Sequence, residues 1–241
     1  PKGKTKRRRP KPKNADTSFR DKYNPVPLCK HNTLTHNPKH PECPICQQAK
    51  MTKAYRKKHA KPMDERANQD KMPLAEEFGD SITLDHFVTI REEHMSRNRH
   101  RVGVVCLDIA TKWMQAYPKA TKNADDTRSA LSHFMGSKKP KRVYSDNAQE
   151  IRKACKELHW DNHDTNSPNT PKNNGIIEQM MRTVRQGTSA ALLQSGLGQS
   201  WWSDAMEYFC FAHCFSDPAG GPNCPFFNRH KEDFAGPRIP F

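Results

Sequence analysis

The sequence predicts an α/β domain built on a mixed sheet, preceded by a basic arm and a small Cys/His segment. Three observations carry that prediction. Three consecutive β-rich segments come first, and helices alternating with short strand-like stretches follow, the order of an antiparallel meander extended by α/β units. The excess positive charge is confined to the start of the chain. Cysteine and histidine crowd into one short stretch just ahead of the sheet.

The chain has 241 residues, room for one sizeable core plus appendages. Residues 1–61 hold 18 Lys and Arg against 3 Asp and Glu, whereas residues 62–241 hold 23 of each, so the whole net charge of +15 sits in the first quarter. A basic arm on a neutral body points to a polyanion, DNA or RNA, as the partner. The alternative is a solvated tail with no dedicated partner. No apolar run is long enough to cross a bilayer, and the opening PKGKTKRRRPKPK is no secretory signal. A membrane is therefore not expected as a partner, and the cysteines are expected as thiols; a small-molecule substrate is not expected either.

Residues 1–28 read as a basic disordered arm, 29–50 as a Cys/His zinc-binding-like segment, and 51–77 as a charged linker. The core is expected over 78–217, with a weakly structured Pro/Gly-rich tail over 218–241. Within the core, 81–90 (SITLDHFVTI) is rich in β-formers, 102–109 (VGVVCLDI) suits a sheet centre, and 112–117 is a third strand ended by Pro118. Residues 123–136 predict a helix capped by Asn123, with Leu131 and Phe134 on one face. A short strand over 141–145 ends at Asp146. A helix over 148–159 carries Ile151, Ala154, Cys155 and Leu158 on its buried face. Residues 160–171 are irregular with room for one short strand, and helices follow over 175–195 and 200–215.

Three carboxylates fall at informative places: Asp85 within the first strand, Asp146 at the end of the fourth, and Glu178 early on the long helix. Phosphoryl transfer asks a protein chiefly for positioning and charge neutralisation. Two divalent ions roughly 4 Å apart can activate an attacking oxygen and stabilise a leaving one. Mg2+ prefers hard oxygen ligands and needs few carboxylates. Two strands and one helix can bring three of them together.

Four ordered segments make the reading specific: GDSITLDHF; RVGVVCLDIATKWMQAYPKATKNADDT; KRVYSDNAQE, with Asn147 after Asp146; and SPNTPKNNGIIEQMMRTVRQGTSAALLQSGLGQSWWSDAM, where Pro168, Pro171, Asn174 and Gly175 precede Glu178. Together they resemble the integrase core of retroviruses and copia-type LTR retrotransposons, over rather more than half of the chain. The resemblance implies a ribonuclease H-like fold, a five-stranded mixed sheet with helices on both faces. It implies an integrase that uses Mg2+ or Mn2+ to trim the 3′ ends of element DNA and join them to target DNA. Asp85, Asp146 and Glu178 match the family's metal-binding triad one by one, and Asp108 matches no triad position. The chain departs from the family pattern in having Ala148 where Gly is common and Ile151 where an aromatic is common. Its interval from Asp146 to Glu178 is shorter, with the loss around His159–Asp164. The resemblance further implies a homo-oligomer that acts in the nucleus and is made as part of a longer polyprotein.

In CKHNTLTHNPKHPECPICQQAK, the two-residue spacing of Cys43 and Cys46 lets both thiolates face one tetrahedral Zn2+. His36 and either His31 or His40 could complete the site, and Cys29 is a further candidate. The resemblance favours a His-His-Cys-Cys set of His31, His36, Cys43 and Cys46, although the loop between the two pairs is too short for a full three-helix module. The alternative is a metal-free remnant.

Lys172 and Asn173 precede the Glu178 helix, and a helix start beside a lysine suits a phosphate. Arg182 and Arg185 lie one and two turns past Glu178 and could follow a DNA backbone. Either pair could equally be solvated. Trp201 and Trp202 suit a core or interface. His86 points to the opposite strand face from Asp85 and is not expected as a ligand. The run Lys6–Arg9 could serve nuclear import. Two competing readings keep the fold without integration: a non-catalytic DNA- or chromatin-binding remnant, and a nuclease acting on RNA–DNA hybrids.

Overall fold

A computed structural model describes residues 31–50, 75–89, 91–165 and 174–241. The basic arm, most of the charged linker, Cys29, Lys172 and Asn173 lie outside the described residues. Helix α1 (Pro44–Ala49) comes first. The strands are β1 (Ile82–Val88), β2 (Val102–Asp108), β3 (Met114–Lys119), β4 (Val143–Ser145) and β5 (His163–Thr165). The remaining helices are α2 (Ala124–Met135), α3 (Gln149–Glu157), α4 (Asn174–Ser195), α5 (Trp202–Ser216) and α6 (Pro225–His230). Among the described residues, no helix is long and apolar enough to cross a membrane.

The five strands form one sheet in the order β3-β2-β1-β4-β5. β1, β2 and β3 pair antiparallel, whereas β4 pairs parallel to β1, and β5 parallel to β4. This is the ribonuclease H-like mixed sheet with flanking helices. Buried residues along β1 and β2 explain why these strands take the centre. Ile82, Leu84, Val104, Val105 and Cys106 are wholly buried, as strands covered on both faces require.

The two faces are read from the alternation along β1. His86 faces α2, where its Nε2 meets Thr127 Oγ1 at 3.0 Å. Phe87 faces α5, its ring 5.4 Å from that of Trp202. Helix α2 starts as expected, with Asn123 Oδ1 accepting the Asp126 amide at 2.7 Å, and it buries Leu131 and Phe134. On the other face, α4 and α5 pack tightly because Gly187 has no side chain. A Cβ there would meet the Phe209 ring at 2.0 Å.

Two expectations are corrected. Pro118 does not end the third strand; it lies inside β3, opposite Gly103. β3 is an edge strand, where a missing N–H leaves no partner unsatisfied. The segment after Asp217 is not loose. It forms α6 and folds back on the core through aromatic contacts, with Phe234 stacked on Phe215 at 4.4 Å and Phe241 against Tyr208 at 5.3 Å. Arg229 lies 4.0 Å over the Phe78 ring and 4.6 Å over Trp113. Bulky aromatics buried against an existing surface order a chain that has little periodicity of its own.

Candidate active site and metal cluster

Strand register brings two of the carboxylates together. Leu84 pairs with Ser145 across the parallel β1–β4 ladder. Asp85 and Asp146 each follow by one residue, so they sit on neighbouring strands, whose backbones run about 5 Å apart. Asp85 is half-buried, and its Oδ1 accepts the His86 amide at 2.7 Å. Burial pushes its carboxyl above the usual range; the His86 amide opposes this, the Asp146 charge adds to it, and Arg185 and Lys122 pull it back. Asp146 is exposed, with Oδ1 accepting the Ala148 amide at 3.3 Å.

Glu178 is exposed on the second turn of α4, a helix that packs on β1. Among the described residues the three carboxylates do not close into a group with all ligand oxygens within 4.8 Å of one another. The structure thus pairs Asp85 with Asp146 and places Glu178 on the helix covering the same strand. Arg185 belongs to the same neighbourhood, since its guanidinium lies 5.6 Å over Phe87 and its charge acts on Asp85. Arg182 is exposed one turn after Glu178. Asp108, left out of the site on sequence grounds, is wholly buried. It accepts the Gly79 amide at 2.9 Å and the Thr111 amide and hydroxyl at 2.8 and 2.7 Å, which is a turn-fixing role.

Other residues around Asp146 escaped the sequence reading. His163 Nε2 lies 2.7 Å from Ser145 Oγ, which donates to the Asp146 carbonyl at 2.8 Å. The Ser145 proton is used there, so His163 is the donor, and the relay steadies the backbone that carries Asp146. A pocket of about 490 Å³ opens beside it, lined by Arg152, Lys153 and Lys156 of α3 with Trp160 and His163. Burial and the charge of Arg152 hold His163 below its ordinary value, while Asp164 and then Asp146 oppose this, so His163, Arg152 and Asp146 share one neighbourhood. The i, i+4 spacing of Arg152 and Lys156 on one helix face is the signal in the sequence, and it lies opposite the stronger apolar pattern of the same helix. His86 lies on the opposite face of β1 from Asp85, as expected; burial and Lys122 bring it down to about 4, and its Nδ1 is buried with no partner among the described residues.

The Cys/His segment forms a closed cluster. Ligand atoms of His31, His36, Cys43 and Cys46 all lie within 4.8 Å of one another. His31 Nε2 is 3.2 Å from His36 Nδ1, Cys43 Sγ is 3.4 Å from His36 Nδ1, and Cys46 Sγ is 3.8 Å from His31 Nε2. The outward nitrogens are engaged elsewhere: His31 Nδ1 with the Pro38 carbonyl at 2.8 Å, His36 Nε2 with Gln194 Oε1 at 3.2 Å. Such outer bonds fix the tautomer that leaves the inward nitrogens as electron donors. Burial lowers the His36 value, which favours the neutral ring that metal binding needs. The donor set and its outer bonds therefore fit Zn2+. His40, the alternative ligand, is turned aside, with its Nδ1 accepting the Glu42 amide at 3.2 Å.

Comparison with known proteins agrees with this architecture. No family model matches the chain. It is 32% identical over 128 residues to the retrovirus-related Pol polyprotein from transposon TNT 1-94 of Nicotiana tabacum. That match covers 49% of this chain and 9% of the tobacco protein, so the chain corresponds to a small part of its relative. Among solved structures, a chain of the simian T-cell lymphotropic virus intasome in complex with PP2A regulatory subunit B56 gamma superposes with a TM-score of 0.53. Identity there is 16%, over 72% of this chain and 62% of that one. The catalytic core domain of BIV integrase covers 64% of this chain and 95% of its own, at 16% identity and a TM-score of 0.46. The chain thus joins a ribonuclease H-like sheet and a neighbouring His/Cys cluster to sequence similarity with a region of a retrotransposon Pol polyprotein.

Proposed function

We propose that the chain is a metal-dependent polynucleotidyl transferase that trims the 3′ ends of element DNA and joins them to target DNA. The observation that carries the reading is the placement of Asp85, in the middle of β1, beside Asp146, just past the end of the parallel strand β4, on a sheet covered by the helix that bears Glu178. Burial and the neighbouring Asp146 carboxylate both disfavour the charged form of Asp85 in the metal-free protein, and a bound cation would offset both. Asp85, Asp146 and Glu178 would hold Mg2+ or Mn2+. When bound, such ions supply the positive charge that activates an attacking oxygen and stabilises a leaving one.

This chain's own residues would position the DNA. Arg185 sits beside Asp85, Arg182 lies one turn from Glu178, and Lys172 and Asn173 precede the same helix. They would hold the backbone phosphates, while the arm over residues 1–28 supplies most of the long-range attraction. His31, His36, Cys43 and Cys46 would hold a structural Zn2+. The protein would work as a homo-oligomer in the nucleus on element-end and target DNA, with no small-molecule substrate.

Two observations favour a second reading, a DNA- or chromatin-binding remnant. Asp85 already accepts a backbone amide, and the three carboxylates do not form a closed ligand group among the described residues. Strand-transfer assays with element-end oligonucleotides in Mg2+ or Mn2+, on the full chain and on Asp146→Asn, separate the two. Joined product that Asp146→Asn lacks supports the transferase; DNA binding without product in either metal supports the remnant.

A further inference from the structure

We infer that the His/Cys segment is a staple of the core: it docks on the C-terminal ends of α4 and α5 through Gln194 and Asp217, so that metal at the cluster fixes the helix that carries Glu178. The inference rests on the metal reading of the cluster and is independent of strand transfer.

Residues 31–50 cannot hold themselves together by apolar burial. Their single helix has six residues, and Cys46 is their one fully buried hydrophobic side chain. A segment of this size needs a cross-link, a metal or a host surface. The structure provides a host surface. Asp217, at the end of α5, is 1% exposed. Its Oδ1 accepts from Asn32 Nδ2 and Thr35 Oγ1, each at 2.7 Å, and its Oδ2 accepts from Asn37 Nδ2 at 3.3 Å and His213 Nδ1 at 2.7 Å. Asn32 Nδ2 also reaches Ser216 Oγ at 2.8 Å. Three of the four groups donating to one buried carboxylate thus come from the stretch that holds His31 and His36.

The second tie runs through a ligand itself. His36 turns Nδ1 to the cluster and Nε2 to Gln194 of α4. A third tie closes the segment, since the buried Lys50 ammonium donates to the His36 carbonyl at 2.7 Å. Gln194 and Glu178 lie sixteen residues apart on one helix, about 24 Å along its axis. Closing the cluster around a metal would hold His36, hence Gln194, and hence the lie of α4. Gln194 and Asp217 are positioning residues in this account, because neither touches the reacting atoms.

The test uses the full chain, zinc-loaded and then stripped with a chelator, followed by hydrogen exchange and thermal unfolding. Stripping should speed amide exchange at least about tenfold at the C-terminal turns of α4 and α5 as well as in residues 31–50, and lower the midpoint of core melting. The double variant Asn32→Ala/Thr35→Ala keeps all four ligands. It should still bind one zinc per chain, but zinc should raise the melting midpoint of its core by much less than in the parent, since only the Asn37 and Gln194 ties remain. Stripping that loosens residues 31–50 alone, with α4 and α5 unchanged, would overturn the staple, and so would failure of the full chain to bind zinc. Absent strand transfer with the coupling intact would count against the proposed function only.

Discussion

Replacing Gly187 by alanine sets two effects against each other, and the structure decides the sign. In an isolated helix, Gly→Ala stabilises by about 1 kcal/mol. At this position the new methyl would stand 2.0 Å from Phe209 Cε2 and 2.2 Å from two further ring atoms. Real contacts of this kind do not fall below 3.0 Å, so the ring or the helix must move by about 1 Å. Phe209 is 2% exposed and faces a filled core, which leaves it nowhere to go. Overpacking of this kind costs about 3 kcal/mol at the upper end of its usual range, for a net loss of about 2 kcal/mol. In a domain of this size that lowers the melting midpoint by about 4–8 °C. Urea or thermal unfolding of Gly187→Ala reads it directly. Adding Phe209→Leu should remove the penalty of the alanine, although the leucine has a cavity cost of its own, so the pair should show strong non-additivity. Because α4 carries Glu178, Gly187→Ala should also slow strand transfer in excess of its effect on folding. A variant as stable as the parent, or more so, would refute the claim that Gly187 sets the α4–α5 distance.

Three further outcomes are expected. Deleting residues 1–28 should weaken DNA binding and flatten its salt dependence, read from binding isotherms across salt, because fewer phosphate-neutralising cations remain. Arg152→Ala/Lys156→Ala removes two of the three basic residues that line the pocket next to His163; if both residues contact phosphates, the slope of log affinity against log salt should fall by about 1.8, with melting unchanged. Asp85→Asn should raise the melting temperature of the metal-free chain at neutral pH while abolishing strand transfer, since it removes a charge disfavoured by burial and by Asp146.

The central sheet was legible because its signals are local. β-branched runs marked β1 and β2, and the end of β4 located Asp146, so the parallel pairing of β1 with β4 followed from the fold. Pro118 was misread because proline breaks a strand only where its N–H is needed, and nothing in the segment says that it lies at an edge. The tail was misread because Phe226, Phe234 and Phe241 bury themselves without any repeating pattern. His31 and His40 could not be separated by spacing; tertiary folding separates them, by turning His40 onto the Glu42 amide. The Asp217 hub joins residues more than 180 apart in sequence, and no local rule reaches that far.

Glu178→Gln tests the central claim most directly. The substitution keeps the size of an exposed side chain, so the fold and the DNA affinity should stay near those of the parent. A neutral amide holds Mg2+ poorly, so end trimming and strand transfer should both disappear in either Mg2+ or Mn2+. The measurement is a strand-transfer gel with element-end oligonucleotides, run beside a DNA-binding isotherm for the same preparation. Intact binding with no joined product is the expected result. Near-normal joining by Glu178→Gln would contradict the account and remove Glu178 from the site.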